Sequence, residues 1–207
     1  MTFKLKLISF TLLFFTIGTT PPPSNFNSFD EYNTTLIKST SIGYDFDKIS
    51  YKIPYTVKDF VGFKEFLGYF ESGSDYKKIN RLGYLGKYQF GRSTLEVLRL
   101  KKINDFIDIP KLQEKAFLMN VMRNKWILRR EINRFNGKKL NKILITESGI
   151  IAAAHLSGPG NVKKYLRNYG DEKFDLSDIN GTKISDYLKT FKGFDLSNIK
   201  GIRKPKI

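Results

Sequence analysis

The chain has 207 residues, of which 41% are hydrophobic and 14% aromatic, which is sufficient for one domain with its own core. It has no cysteine and a single histidine, which excludes disulfides, Cys-based zinc sites and thiol nucleophiles and leaves little room for the zinc sites of peptidases and amidases. The formal charge of +16 predicts an anionic partner, namely nucleic acid, an acidic membrane surface or an anionic envelope polymer, although an A/T-rich coding bias would give the same excess of lysine.

The first 20 residues have the pattern of a secretory signal. Lys4 and Lys6 precede a largely apolar run over residues 7–17, which is shorter than the roughly 20 residues that a bilayer span needs. We therefore expect residues 1–20 to direct export to the periplasm or the medium, without a stable membrane anchor. Because residues 18–20 fit the small-residue cleavage rule poorly, an uncleaved anchor is the alternative. Export argues against nucleic acid as the partner.

Three further regions follow this segment. Residues 21–45 are rich in proline, asparagine and serine and predict an extended tether, residues 46–200 predict one mostly α-helical domain, and residues 201–207 form a basic tail. Apolar spacing and capping residues predict helices over residues 57–71, 93–102, 111–135, 162–168 and 184–191, and a helix from Thr146 to a break at Gly158. The helix over 111–135 is expected to be central, and the four glycines between residues 72 and 92 predict a loop or small hairpin.

Glu71 is the first candidate for chemistry, because it lies where the first predicted helix ends and the glycine-rich segment begins. Its neighbours Leu67, Tyr69 and Phe70 are apolar, the C-terminal end of a helix disfavours a negative charge, and no cation follows before Lys77. All three features raise the expected pKa of the carboxyl, desolvation most of all. A carboxylic acid kept neutral is what protonation of a glycosidic oxygen requires, whereas a solvated helix-end charge is the ordinary alternative.

Three short motifs surround this residue. Residues 71–73 are Glu-Ser-Gly, residues 86–91 are Gly-Lys-Tyr-Gln-Phe-Gly, and residues 152–162 are Ala-Ala-Ala-His-Leu-Ser-Gly-Pro-Gly-Asn-Val. In this order and spacing they resemble the lysozyme-like soluble lytic transglycosylases, in which a Glu-Ser pair ends a helix, a Gly-x-x-Gln element follows and an Ala-Tyr-Asn-Ala-Gly-Pro-Gly segment lines the cleft. The resemblance covers residues 55–188. It implies a lysozyme-like α-helical fold, with Glu71 as acid/base, Ser72 as its positioning neighbour, Gln89 in the cleft and Gly158 beside the sugar sites.

The chain departs from this family at two places. His155-Leu156 replaces the Tyr-Asn pair of the third motif, and Lys87-Tyr88 replaces the usual Leu-Met. The first change removes a hydroxyl expected near the acid. His155 is one candidate to supply the missing hydrogen bond, with a hydrogen-bonded core histidine as the alternative, and Tyr187 is the other candidate because it resembles a later tyrosine of the family. Tyr88 is a candidate to stack on a sugar, with packing against the core as the alternative.

Two other acidic residues were weighed as catalytic groups. Glu147 stands in a second Glu-Ser-Gly triplet but begins a helix, where the helix dipole stabilises its anion, so we expect a structural role. Asp75 lies four residues after Glu71 and is either a second carboxylate for water activation or, as we expect, a loop turn residue.

The resemblance implies cleavage of peptidoglycan between N-acetylmuramic acid and N-acetylglucosamine by Glu71 alone, which leaves 1,6-anhydro ends and needs no metal or cofactor. We expect the enzyme to be a monomer. Three alternatives stay open: a lysozyme-type hydrolase of the same bond, a non-catalytic basic module that binds the cell wall, and a nucleic-acid-binding protein.

Overall fold

A computed structural model describes residues 57–100 and 103–206 of the chain. These residues form α1 (Phe60–Ser72), α2 (Arg92–Val97), α3 (Pro110–Phe135), β1 (Lys139–Leu140), β2 (Ile143–Leu144), α4 (Glu147–Ser157), α5 (Pro159–Arg167) and α6 (Ile184–Thr190). The predicted mostly α-helical class is confirmed. The predicted signal and tether, residues 1–20 and 21–45, lie outside the described residues, as do residues 46–56. No helix in the described ranges combines the length and the apolarity needed to cross a bilayer.

Local capping residues set the ends of α1. The helix begins at Phe60, later than predicted, because the Asp59 carboxylate accepts hydrogen bonds from the backbone N–H groups of Val61 (2.8 Å) and Gly62 (3.0 Å). It ends at Ser72, close to the predicted end at residue 71, and is capped by Gly73 in a left-handed conformation whose N–H donates to the Tyr69 carbonyl. Local contacts therefore define both ends of α1.

The most completely buried helix of the domain is α4, which packs beside α3, the helix that the sequence predicts to be central. Every residue from 148 to 154 of α4 is buried, and α4 packs against α3, α5 and α6. The longer α3 keeps an exposed basic side that includes Arg129 and Arg130. Gly149 explains how closely α6 approaches α4, because a Cβ at this position would lie 2.9 Å from the carbonyl oxygen of Leu188. The α4–α6 contact matters for the site because α6 carries Tyr187.

Three other elements differ from the sequence prediction. The helix α2 ends at Val97 instead of residue 102. Its N-cap is Gly91, which has no side chain to form a capping hydrogen bond, whereas the sequence predicted a cap by the Ser93 hydroxyl. The helix α5 begins at Pro159, because a proline is favoured at the first helical position and restarts the helix directly after the break at Gly158. The antiparallel β1–β2 pair was not predicted, since its two turn residues, Asn141 and Lys142, both adopt positive φ without the glycine that usually marks such a turn.

The glycine-rich segment after α1 is a small hairpin, as expected. Isolated antiparallel bridges pair Ile79 with Leu85 and Leu85 with Phe90. The predicted basic tail, in contrast, lies along α3 over its described part, residues 201–206: the N–H of Ile202 donates to the Met122 carbonyl (2.9 Å), and Pro205 is buried.

Candidate active site

Glu71 lies in the last turn of α1, partly buried, and its closest polar partner comes from α6. The hydroxyl of Tyr187 donates a hydrogen bond to Glu71 Oε1 at 2.6 Å. The Tyr187 ring is only 2% exposed and is held edge-on by Phe70 at 5.4 Å, and it also contacts Phe191. Two helices that are distant in the sequence therefore meet at one carboxyl group, with an apolar wall on the side of α6.

This environment raises the pKa of Glu71 from an ordinary 4.5 to about 7. Burial is the largest cause, since it disfavours the charged carboxylate, and the nearby charge of Asp178 acts in the same direction. The Tyr187 hydrogen bond and the charge of Lys78 oppose the rise. Near neutral pH the carboxyl group therefore exists in both protonation states, so it can donate a proton in one step and accept one in the next.

Ser72 fixes the end of α1 to the hairpin. It is buried, its hydroxyl donates to the Lys87 carbonyl (2.8 Å), and it accepts the N–H of Asp75 (3.0 Å). Lys78 Nζ lies 3.4 Å from the Ser72 carbonyl oxygen, which brings a cation to the same turn. Ser72 therefore positions the backbone beside Glu71, in keeping with the role that the resemblance implies.

Gln89 shapes the hairpin turn. Its backbone is left-handed, with φ at +48°, and its side-chain amide donates to the Gly86 carbonyl at 2.8 Å. The side chain is partly buried, so the structure shows a turn-fixing contact for this residue. Gly158 lies at the junction of α4 and α5 with φ at +81°, and no atom lies within 4 Å of the place a Cβ would occupy.

Tyr88 and His155 belong to the core. Tyr88 has no exposed surface, stacks on Phe117 at 4.1 Å, and its hydroxyl donates to the carboxylate of Glu114. It therefore cannot stack on a sugar in this conformation, which corrects its predicted binding role in favour of packing. His155 lies edge-on against Phe90 at 5.2 Å.

Burial keeps the His155 ring neutral, and its hydrogen bonds define its tautomer. Burial lowers its pKa to about 4, so the ring is neutral at pH 7. Its Nε2 lies 2.8 Å from the Tyr88 carbonyl oxygen, which only an N–H can satisfy, and its Nδ1 therefore accepts from the Asn120 amide at 3.2 Å. Neither nitrogen bonds to Glu71, so the hydroxyl partner of the acid is Tyr187.

The other two acidic candidates occupy structural positions. Asp75 accepts the N–H of Lys77 at 2.7 Å, which is a turn contact. Glu147 begins α4 and pairs with Lys125 Nζ at 2.9 Å. Both positions agree with the roles expected from the sequence.

Comparison of the chain with protein-family models, with curated proteins and with solved structures gave no match. The chemical interpretation of the site therefore depends on its geometry and on the sequence motifs.

Sequence reasoning missed two features of this region. Asp178, in the turn before α6, is close enough for its charge to raise the pKa of Glu71. Its carboxylate also accepts the N–H groups of Asn180 and Thr182, each at 2.8 Å. The sequence around it indicates a turn, but nothing in it places that turn beside Glu71.

The second missed feature is an ion network behind the hairpin. Lys87, 2% exposed, contacts the carboxylates of Glu65 (2.8 Å) and Glu114 (2.9 Å), and Glu114 also receives hydrogen bonds from Lys64 and Tyr76, each at 2.6 Å. These contacts lower the pKa of Glu114 to about 2 despite its burial. Lys87 and Tyr88 are the residues at which the chain differs from the family that it resembles. Both of them bind Glu114 on α3.

Proposed function

We propose that this protein is a lysozyme-like lytic transglycosylase that cleaves the glycan strands of peptidoglycan, with Glu71 as its acid and base. The observation that carries the proposal is a carboxyl group at the end of α1 whose pKa is raised to about 7 and whose orientation is fixed by the Tyr187 hydroxyl. The three motifs add support, since they assign the acid to the same residue. An exported, monomeric enzyme with a lysozyme-like fold is part of this proposal.

The proposed reaction uses both protonation states of Glu71. The protonated acid gives its proton to the oxygen between N-acetylmuramic acid and N-acetylglucosamine, and the N-acetyl carbonyl of the substrate stabilises the positive charge that develops. The ionised Glu71 then takes the proton of the C6 hydroxyl, whose oxygen closes the 1,6-anhydro ring. An internal nucleophile has a high effective concentration, so a second carboxylate is not required.

A muramidase is the second candidate, because Asp178 supplies a carboxylate near Glu71. In a hydrolase that carboxylate would stabilise the charged intermediate or activate a water molecule, and the product would have a reducing end instead of an anhydro ring. The chemical form of the released end therefore separates the two candidates.

The test is mass spectrometry of the muropeptides released from purified peptidoglycan. We expect wild type to release anhydro muropeptides and Glu71→Gln to release at least about a thousandfold fewer, because the amide cannot exchange a proton. Glu96→Gln, which removes an exposed carboxylate on α2, is the matched control and is expected to retain full activity. Unchanged release by Glu71→Gln would disprove the site assignment.

Asp178→Asn distinguishes the remaining outcomes. Its side-chain oxygen can still accept the N–H groups of the turn, so the loop is retained while the charge is lost. Anhydro products from this variant support the transglycosylase, whereas reducing-end products from wild type that disappear in Asp178→Asn support the muramidase. A wild-type protein that sediments with peptidoglycan but releases nothing would be a binding module.

A further inference from the structure

A groove of about 380 Å³ lies on the side of the domain formed by the end of α2, the middle of α3 and the C-terminal segment. Its polar lining consists of five cationic side chains and one indole: Arg99, Arg123, Trp126, Arg203, Lys204 and Lys206. Among the described residues no carboxylate lines the groove, and Glu71, Tyr187 and Asp178 are not part of it. The groove is therefore a feature that the proposed cleavage reaction does not use.

The positive charge of this groove is not neutralised by the described part of the chain. None of its five cations forms an ion pair with a described carboxylate, although Lys64, Lys77, Lys87, Lys125 and Arg167 elsewhere in the domain do. Like charges that share one concave surface repel each other and concentrate a positive potential there. An anion in the groove would remove this repulsion.

The backbone of Arg99, at one edge of the groove, adopts a conformation that is uncommon for arginine. Arg99 follows α2 in the left-handed conformation, with φ at +59°, and the N–H of the next residue, Leu100, donates to the Leu95 carbonyl at 3.2 Å. Glycine is the residue that this helix-ending geometry favours. Arg99 adopts this conformation where it lines the groove, as several turn residues elsewhere in the described chain also do.

The opposite wall of the groove is held in place. The C-terminal segment is fixed to α3 by the hydrogen bond from Ile202 to the Met122 carbonyl, and Pro205 is buried. The guanidinium group of Arg203 lies over the Trp126 ring at 5.3 Å, and that of Arg129 lies over the same ring at 4.4 Å. Because two cations already contact the indole, it is a poor platform for stacking a nucleobase.

We propose that this groove binds a linear chain of phosphate groups that carries no bases, such as a polyphosphate or a polyol phosphate. Guanidinium groups match phosphate oxygens in paired hydrogen bonds, and three arginines face the groove. A groove of about 380 Å³ accommodates a narrow flexible chain. The proposal does not depend on the cleavage activity of Glu71.

Trp126 is the only tryptophan of the chain, so its fluorescence reports on this groove. We expect tripolyphosphate and a glycerol phosphate oligomer each to change the fluorescence saturably, and calorimetry to give the same Kd. The two Kd values show whether the groove prefers a polyphosphate or a polyol phosphate. A thymidine oligomer and polyglutamate of equal charge are expected to bind at least about tenfold more weakly, since one carries bases and the other no phosphate.

Two pairs of variants separate the contribution of the groove to binding from that of the overall positive charge. Arg99→Gln with Arg203→Gln is expected to weaken binding of the phosphate chains by about tenfold or more, whereas Lys138→Gln with Lys139→Gln, exposed cations outside the groove, should change it by less than about twofold. Arg99→Gly should weaken binding without lowering the melting temperature, because glycine favours this backbone conformation.

Three results would overturn the proposal. The first is an equal loss of affinity in the groove pair and the Lys138/Lys139 control pair, which would mean that only net charge matters. The second is binding of the thymidine oligomer or polyglutamate as tightly as the phosphate chains, with the same dependence on Arg99 and Arg203. The third is the absence of saturable binding of either phosphate chain. None of these results bears on Glu71, whose test is the muropeptide product.

Discussion

At the scale of single residues, the chemistry of Glu71 depends on a balance between burial and one hydrogen bond. Burial and the charge of Asp178 raise the pKa of the carboxyl, while the Tyr187 hydroxyl and Lys78 lower it. The sequence predicted a raised pKa from the apolar neighbours Leu67, Tyr69 and Phe70, but only Leu67 is buried, while Phe70 is 39% and Tyr69 68% exposed. It named Tyr187 only as one of two candidates, since 116 positions separate this residue from Glu71.

Tyr187→Phe tests the direction of that hydrogen bond. The bond stabilises the ionised carboxylate, so its removal should raise the pKa of Glu71 further, by about one unit, and shift the alkaline limb of the activity profile to higher pH. NMR titration of the side-chain carboxyl carbon measures the pKa without reference to activity.

Tyr88→Phe is the matched control for this experiment. It also removes a buried hydroxyl that donates to a carboxylate, but that carboxylate belongs to Glu114, so the titration of Glu71 should not change. A pKa of Glu71 that falls or stays constant in Tyr187→Phe would contradict the geometry of the site.

Glu71→Gln should stabilise the protein at alkaline pH. The pKa of Glu71 in the folded state, about 7, lies above its ordinary value of 4.5, so wild type loses stability as the pH rises through this interval and the buried group ionises. A glutamine still accepts the Tyr187 hydrogen bond but never ionises. Urea unfolding is expected to show a gain of about 2 kcal/mol at about pH 8 that disappears near pH 5. A pH-independent difference would show that burial of the charge is not its cause.

At the scale of elements, most helix ends were predictable because a cap is a contact among residues close in sequence. Gly73 and Thr146 act within four positions of the groups they satisfy, as does Asp59, although the predicted start of α1 was residue 57. The α4–α5 junction was harder, because Gly158 ends one helix and Pro159 starts the next without a connecting loop. The sequence predicted the end of α4 at Gly158, but it placed the start of the next helix at residue 162 instead of Pro159.

Gly158→Ala should destabilise the protein by about 1–3 kcal/mol, because φ of +81° with ψ of 151° is a conformation that only glycine adopts readily. Steric overlap is not the cause, since nothing lies within 4 Å of the added Cβ. Gly160→Ala is the matched control two residues later. It lies in α5 with open space around its Cβ, so it should be neutral or stabilise by up to about 1 kcal/mol. Urea denaturation measures both, and similar values for the two variants would refute the backbone explanation.

At the scale of the whole molecule, the buried ion network connects α1, the hairpin and α3. Lys64 and Glu65 come from α1, Lys87 from the hairpin and Glu114 from α3, so two cations and two carboxylates meet in one cluster. Removing a single partner leaves a charge without compensation, which costs far more than the loss of an exposed pair. The network therefore holds the hairpin against α1, the helix that carries Glu71.

Lys87→Met should lower the free energy of unfolding by about 1–3 kcal/mol near pH 7, because Glu65 and Glu114 lose a shared buried cation while Lys64 still pairs with both carboxylates. Lys77→Met provides the comparison. Its pair with Asp108 is exposed, so a loss below about 1 kcal/mol is expected. The cost of Lys87→Met should diminish as the pH falls from the ordinary 4.5 toward 2 and Glu114 becomes protonated. Equal costs for both variants in denaturant titrations would contradict a structural role of the network.

The sequence by itself determined the helical class, most helix ends and the position of one carboxyl group among apolar neighbours, because periodicity and capping act over about four residues. Only the tertiary structure decided that Tyr187, not His155, bonds to Glu71, that Asp178 lies near it, and that Tyr88 is buried. It also decided that Lys87 joins Glu114 and that cations from three segments share one groove. These outcomes join residues that are far apart in the sequence, up to 116 positions for Tyr187 and Glu71, and such pairings follow from how the helices pack, which no local pattern encodes.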